Sequence, residues 1–155
     1  MDKIFLRKAG IVNCEEIYNI QVEAFHELLN KYKDYDTNPA AETIENTEQR
    51  MKQKNTDYYF ITLDDDNIGA IRIVRLDNNT CRISSIFIVP QFQNMGYGQQ
   101  AIYEVESLYP KTEHWELDTI KEESRLCHFY KKMGYSETGE EKTIQSGMTS
   151  IYYGK

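Results

Sequence analysis

The chain has 155 residues and a formal charge of −7, and 40% of its residues are hydrophobic. A chain of this size buries roughly 70% of its unfolded surface, so we expect a single domain over residues 1–155. No basic tract is longer than Lys131-Lys132, which excludes the positive surface that nucleic acid binding requires. The longest apolar run, residues 86–89, is far shorter than the roughly 20 residues of a membrane span. With no signal peptide recognised, we expect a cytoplasmic protein that does not enter membranes.

Cysteine and histidine are too few and too scattered to indicate a metal site. Cys14, Cys81 and Cys127 form an odd set without a Cys-x-x-Cys spacing, a pattern that favours reduced thiols over a disulfide or a zinc site. Cys127 and His128 are neighbours on a predicted helix, where their side chains point about 100° apart. We therefore expect neither a bound metal nor Cys–His catalysis.

The first predicted elements are a strand and two helices. Residues 3–8 are predicted to form a strand. Asn13 followed by Glu16 has the form of a capping box and predicts the start of a helix with apolar residues at the 3.6-residue period. A polar, turn-rich stretch over residues 31–41 separates it from a weaker predicted helix at about 41–51.

Three β-rich runs follow, at residues 58–63, 68–76 and 81–89, and the Asp/Asn turns between them predict an antiparallel meander. The remaining predicted elements are a helix ending at Pro110, a strand at 115–120, a helix at 122–133 stopped by Gly134, and strands near 135–140 and 148–153. The passage from strand 81–89 through a helix to strand 115–120 requires a parallel crossover. The predicted fold class is therefore α/β with a mixed, mostly antiparallel sheet.

Residues 93–98 lie between a predicted strand and a predicted helix. Several backbone N–H groups should therefore converge at the positive end of the helix dipole. Gly96 and Gly98 lack a Cβ, which permits a positive φ and close approach of a phosphate. The segment predicts an anion site, with a plain tight turn as the alternative. It lacks the third glycine and the acidic residue of the dinucleotide-binding fingerprint.

Two segments resemble signatures of the GNAT acetyltransferases. Residues 86–102 resemble the acetyl-CoA-binding motif V-x-P-x-x-[QR]-x-x-G-x-[GA], with Ile88 in place of Val. Residues 126–135 resemble the second signature, A-x-x-[FL]-Y-x-x-x-G-[FY]. The resemblance implies a splayed parallel strand pair, helices on both sheet faces, and transfer of acetyl from acetyl-CoA to a primary amine by direct attack. We expect the amine of a small molecule; a protein Lys or N-terminus and a non-catalytic acyl-CoA-binding module are the alternatives.

The resemblance also implies roles for residues. The pyrophosphate of acetyl-CoA would lie on the amides of residues 93–98, and its pantetheine arm would pair with the strand at residues 86–88. Tyr130 would protonate the departing thiolate, for which a phenol of pKa about 10 is suitable; packing as a core aromatic is its alternative. The implied cofactor-binding residues are Ile86, Phe87, Ile88, Gln93, Asn94, Met95, Gly96, Tyr97 and Gly98.

The chain departs from the family pattern at three places. Where many members have a Glu as general base, the chain has Arg82 and Ser84, which leaves Glu116, Asp118 or water for that role. Glu123 replaces an Asn that touches the cofactor in other members. Gln93 replaces an Arg, so the amides of the turn must hold more of the phosphate charge.

The first two helices and their connection are implied to form one wall of the acceptor cleft. An acidic, aromatic wall would attract a cationic amine, whereas the alternative is an ordinary solvated helix face. The residues that would form this wall are Glu23, Glu27, Tyr32, Asp34, Tyr35 and Asp36. A homodimer is an assembly that the sequence allows.

Overall fold

The computed structural model describes residues 2–155. Within this range four α-helices pack on seven strands. In chain order these are β1 (Ile4–Ala9), α1 (Cys14–Tyr32), α2 (Ile44–Met51), β2 (Thr56–Leu63), β3 (Asp66–Arg75), β4 (Thr80–Ile88), α3 (Tyr97–Leu108), β5 (His114–Ile120), α4 (Ser124–Lys132), β6 (Ser136–Gln145) and β7 (Met148–Gly154). None of the helices in this part of the chain is long and apolar enough to cross a membrane.

The strands form one sheet in the order β1-β2-β3-β4-β5-β7-β6. All neighbours are antiparallel except β4 and β5, whose parallel ladder pairs residues 80–82 with residues 114–116 and then stops. Beyond the ladder the two strands separate and leave a wedge between residues 83–88 and 117–120, which we call the gap. The predicted meander, parallel crossover and splayed strand pair are confirmed.

The helices lie on both faces of the sheet, as expected. On one face, the ring of Phe25 in α1 lies 5.4 Å from that of Phe87 in β4. On the other face, Ile71 of β3 packs in one cluster with Val105 of α3 and Met133 of α4. We call these the α1 face and the α3 face. The gap lies between these two faces.

A β-bulge bends β4 at the point where its ladder with β5 ends. In the pairing of β3 with β4, Arg72 is opposite Ser85 and Ile73 is opposite Ile83, so Ser84 is the extra residue. Such a bulge increases the local twist and redirects the strand. No residue pattern in β4 predicts the bulge, which helps β4 to diverge from β5.

The predicted capping box at the start of α1 is wrong. A short 3₁₀ turn precedes the helix, and the Asn13 side chain accepts a hydrogen bond from the Gly10 N–H (3.0 Å) instead of capping α1. The Glu16 carboxylate accepts from the amide of Asn67 (2.7 Å). Helix α4 also begins at Ser124, later than predicted.

Candidate active site

Strand β4 presents alternate backbone groups to the gap. The Val89 N–H donates to the Ile68 carbonyl of β3 (2.9 Å). Because successive amides of a strand point in opposite directions, the amide of Phe87 also faces β3, whereas those of Ile86 and Ile88 face the gap. Of the three residues expected to bind pantetheine, two therefore present their backbone there.

The gap-facing backbone is only partly occupied. The ladder with β5 ends at Arg82, so Ile86 and Ile88 have no strand partner on this side. The Ile88 carbonyl accepts a hydrogen bond from Nε2 of Gln93 (2.8 Å), which leaves the Ile88 N–H available. An extended chain with amide groups can add to such an edge like another strand.

The turn over residues 93–98 lies at the wide end of the gap and carries a free helix N-terminus. Asn94 and Gly96 have φ values of 62° and 86°, and this left-handed backbone leads directly into α3. The first helical bond that reaches back into the turn joins the Gln100 N–H to the Gly96 carbonyl (3.2 Å). The N–H groups of residues 97–99 therefore have no partner within the helix, which suits an anion.

Side chains in this turn serve packing. The Tyr97 ring is buried and lies 6.5 Å from that of Phe92. A Cβ on Gly98 would lie 3.3 Å from the Phe129 ring, so the missing side chain lets α3 approach α4 closely. Met95 is exposed. What the turn offers a ligand is therefore mainly its backbone.

Arg125 in the first turn of α4 also lies beside this turn. Its Nη1 is 3.4 Å from Oδ1 of Asn94. The cation adds positive charge to a turn whose own residues, 93–98, carry none. No local sequence pattern marks Arg125, because only the contact between α4 and the turn shows where it lies.

Tyr130 of α4 lies in the core cluster beneath the gap, together with Leu117 of β5 and, at its border, Ile86 of β4. Its ring contacts those of Phe129 and Tyr153, with centroids 5.1 Å and 6.4 Å away. Burial raises the pKa of Tyr130, and no hydrogen-bond partner among residues 2–155 contributes to the shift. The phenol is therefore a protonated group whose hydrogen has no acceptor in the described chain.

Two carboxylates of β5 lie on the α1 face: Asp118 in the gap and Glu116 at the last pair of the ladder that closes it. Asp118 forms an ion pair with Arg82 of β4 and accepts a hydrogen bond from the Ser150 hydroxyl (2.5 Å). Glu116 is 3.9 Å from the Arg82 guanidinium, and its side chain is 37% exposed. Asp118 is thus held by two partners, whereas Glu116 is freer to meet an acceptor.

Glu123 links three elements at the wide end of the gap. Its carboxylate accepts hydrogen bonds from the Tyr32 hydroxyl and the Lys31 ammonium, each at 2.5 Å. Although burial acts to raise it, these bonds hold the pKa of Glu123 below its ordinary value. Gln145 of β6 donates to the Tyr32 carbonyl (2.6 Å). Helix α1, the β5–α4 connection and the β6–β7 hairpin therefore meet here.

The acidic residues expected to line an acceptor wall differ in burial. The Asp34 carboxylate is buried and accepts hydrogen bonds from the backbone N–H (3.1 Å) and hydroxyl of Thr37, so it closes its own turn. Glu23, Glu27 and Asp36 are exposed. Exposed carboxylates fit both an acidic wall and a solvated helix surface, so the acceptor wall stays a prediction.

The sequence model of the Acetyltransferase (GNAT) family matches residues 14–135, which is most of the chain. No curated protein matches the sequence.

Solved structures match the fold over nearly the whole chain. An acetyltransferase from Thermus thermophilus is 12% identical with a TM-score of 0.75, covering 100% of this chain and 99% of that one. RimL, a ribosomal L7/L12 alpha-N-protein acetyltransferase in complex with coenzyme A, is 12% identical with a TM-score of 0.76, covering 99% and 93%. Spermidine N-acetyltransferase from Vibrio cholerae is 14% identical with a TM-score of 0.73, covering 99% and 93%. At these identities the similarity shows a shared fold.

Proposed function

The chain belongs to the acetyltransferase (GNAT) family of acetyl-CoA-dependent enzymes, and we propose that it transfers acetyl from acetyl-CoA to the primary amine of a small molecule. The observation that carries the proposal is the gap, where the unpaired backbone of β4 leads to the free N–H groups of residues 97–99. One extended ligand with a phosphate end can use both features. Acetyl-CoA has this form.

The cofactor would lie along β4. Its pyrophosphate accepts hydrogen bonds from the N–H groups of residues 97–99 and is approached by Arg125. Its pantetheine amides pair with the backbone of Ile86 and Ile88. The thioester then points toward the narrow end of the gap, where Ser84 forms the bulge.

The transfer needs one nucleophilic attack and two proton movements. The amine nitrogen forms a bond to the thioester carbonyl carbon, and a backbone N–H of β4 beside the thioester stabilises the oxyanion. The C–S bond then breaks, and the Tyr130 hydroxyl gives its proton to the thiolate. The nitrogen loses a proton to Glu116, Asp118 or a water molecule, and a proton from the solvent restores the Tyr130 hydroxyl. The products are an N-acetylated amine and free CoA.

A small acceptor fits the surroundings of the gap better than a protein segment. The contacts of Glu123 with Lys31 and Tyr32, and of Gln145 with Tyr32, tie α1 to the opposite half of the sheet. This link restricts access for a bulky chain. Cys14, Cys81 and Cys127 are unpaired, which supports a reducing compartment, and we place the enzyme in the cytoplasm.

Release of free thiol from acetyl-CoA, measured across a panel of small amines and peptides, tests the proposal. Turnover with a small amine supports it, and turnover with peptides alone favours a protein acetyltransferase. Binding without turnover would make the chain a binding module. Acetyl-CoA should also raise the melting temperature, whereas NAD and ATP should not, because a ligand specific for the folded state stabilises that state.

A further inference from the structure

Arg72 of β3 carries a positive charge on the α1 face without a counter-ion. Its Nη2 donates to Oε1 of Gln53 (2.8 Å) and to Oγ1 of Thr56 (3.3 Å), and its Nη1 to Oγ of Ser84 (3.4 Å). All three partners are neutral, and no carboxylate in residues 2–155 pairs with it. Its Nε is buried and has no hydrogen-bond acceptor. The guanidinium therefore has both an unpaired charge and an unused donor.

The charged groups around Arg72 reinforce this imbalance. Burial lowers the pKa of Arg72, whereas Tyr58, whose ring lies 5.9 Å from the guanidinium carbon, acts to raise it. The positive charges of Arg50 in α2 and Arg82 in β4 lower this pKa further. Arg50 pairs with Glu42, and Arg82 pairs with Asp118. Each neighbouring arginine thus has its own carboxylate, and Arg72 is the member of the group that lacks one.

Arg72 is only partly buried, but a charge that has lost part of its hydration without a counter-ion still costs free energy, which a bound anion would offset. Nε is buried, but Nη1 has a second N–H beyond the one directed at Ser84, and this N–H can donate to a carboxylate oxygen. A carboxylate suits the site better than a phosphate monoester. A phosphate monoester carries about two negative charges, whereas only one cation at this site lacks a counter-ion.

Arg72 also lies where the reaction would occur. Its contact with Ser84 places the guanidinium next to the bulge at the narrow end of the gap. In the proposed enzyme the thioester points toward this end. An anion on Arg72 would therefore belong to the acceptor, and it would lie only a few bonds from the reacting amine.

We infer that the acceptor is a free amino acid, whose carboxylate binds Arg72 while its amine faces the thioester and the carboxylate of Glu116. This inference rests on the proposed function and specifies its substrate class. It predicts that purely cationic amines, such as polyamines, are poor acceptors.

The test compares each active amino acid with its amide and with its decarboxylated amine, for example leucine, leucinamide and isoamylamine. Thiol release should show a kcat/KM at least tenfold higher for the amino acid. In Arg72→Gln the KM for the amino acid should rise at least tenfold, and the preference over the amide should disappear. Arg75→Gln, three residues along the same strand and on the opposite face, should keep the preference.

Two further measurements separate the possible failures. Acetyl-CoA should raise the melting temperature of Arg72→Gln as much as that of the wild type, and Arg72→Met should melt no lower than the wild type. Equal kcat/KM for amino acids and decarboxylated amines would overturn the inference and leave the proposed function intact. An equal loss of activity on all acceptors in Arg72→Gln would also overturn the inference and leave the proposed function intact. Absence of acetyl-CoA binding by the wild type would overturn the proposed function itself.

Discussion

Asp57 and Arg72 are charged residues on neighbouring strands and on opposite faces of the sheet, and they differ in how their charges are satisfied. On the α3 face, the Asp57 carboxylate accepts from the Tyr109 hydroxyl (2.6 Å) and pairs with Lys8 (2.9 Å) and Arg75 (3.0 Å). On the α1 face, Arg72 has neutral partners and an Nε with none.

The same contrast extends to the gap. Its main polar groups lack partners in the described part of the chain: the N–H groups of Ile86 and Ile88, those of residues 97–99, and the Tyr130 hydroxyl. Satisfied groups stabilise a fold, whereas groups arranged for a ligand reduce its stability. We therefore expect changes around Asp57 to lower stability, and changes at the gap to lower binding or rate.

The largest expected effect is on cofactor binding, in Gly96→Val. A Cβ at this position would crowd the N–H groups that bind the pyrophosphate, so acetyl-CoA affinity in calorimetry should fall about 100-fold or more. The positive φ of 86° also makes the variant less stable, by about 1–2 kcal/mol.

Gly134→Val is the matched control, because Gly134 has a φ of 96° and lies after α4, away from the turn. It should lose similar stability and keep acetyl-CoA affinity. If both variants lost affinity equally, strain rather than the anion site would explain the result.

In Tyr130→Phe, kcat should fall by about 100-fold while acetyl-CoA affinity and melting temperature change little, because only an unpaired hydroxyl is removed. Because burial raises the pKa of Tyr130, the wild-type kcat should not decline between pH 7 and about pH 10 through loss of this proton. Tyr153→Phe, at a neighbouring buried tyrosine of β7, is the control and should retain turnover. Full activity of Tyr130→Phe would contradict the proton-donor role and show that Tyr130 serves only as a core aromatic.

Asp57→Asn should lower the free energy of unfolding at pH 7 by about 2–3 kcal/mol, because three donors lose a charged acceptor. Although burial acts to raise it, the hydrogen bonds from Tyr109 and Lys8 and the charge of Arg75 hold the pKa of Asp57 below its ordinary value. The stabilisation is therefore complete above the unfolded-state pKa of about 3.9 and disappears as pH falls through the folded-state pKa.

Denaturant unfolding of the wild type and Asp57→Asn between pH 7 and about pH 2 measures this effect. The difference between the two proteins should narrow below about pH 4. A difference that stayed constant with pH would show that the charge of Asp57 does not stabilise the fold.

The smallest expected effect is that of Arg125→Gln, in which acetyl-CoA affinity should fall about tenfold through loss of one charge next to the phosphates. The loss should shrink at high salt, where exposed charges are screened. Arg7→Gln, on the distant strand β1, should not change the affinity. An unchanged affinity in Arg125→Gln would restrict the phosphate site to backbone groups.

Local patterns predicted most of the architecture. The Asp/Asn turns indicated the meander, and the change from strand to helix after Pro90 indicated both the crossover and the turn over residues 93–98. Gly134 adopts the positive φ expected of a helix stop. The capping box at Asn13 failed because a 3₁₀ turn at Gly10 competes for the same side chain.

The functional details depend on contacts that a one-dimensional pattern does not contain. Arg125 reaches the turn only because α4 packs beside α3. The bulge at Ser84 depends on pairing with β3. Arg72 lacks a counter-ion because the nearby carboxylates form ion pairs with the neighbouring arginines. Asp34 shows the opposite kind of error. Its sequence position suggested a place in the acidic acceptor wall, but its carboxylate closes its own turn instead. The roles of Tyr130 and of the nine cofactor-binding residues remain predictions.

Amide hydrogen exchange by NMR, with and without acetyl-CoA, tests most directly whether the gap holds the cofactor. The account predicts that the amides of Ile86 and Ile88 exchange quickly in the free protein and slow markedly on binding, as do those of residues 97–99. The amide of Phe87, which faces β3, should be protected in both states. Saturating acetyl-CoA that left Ile86 and Ile88 unprotected would place the cofactor elsewhere and contradict the account.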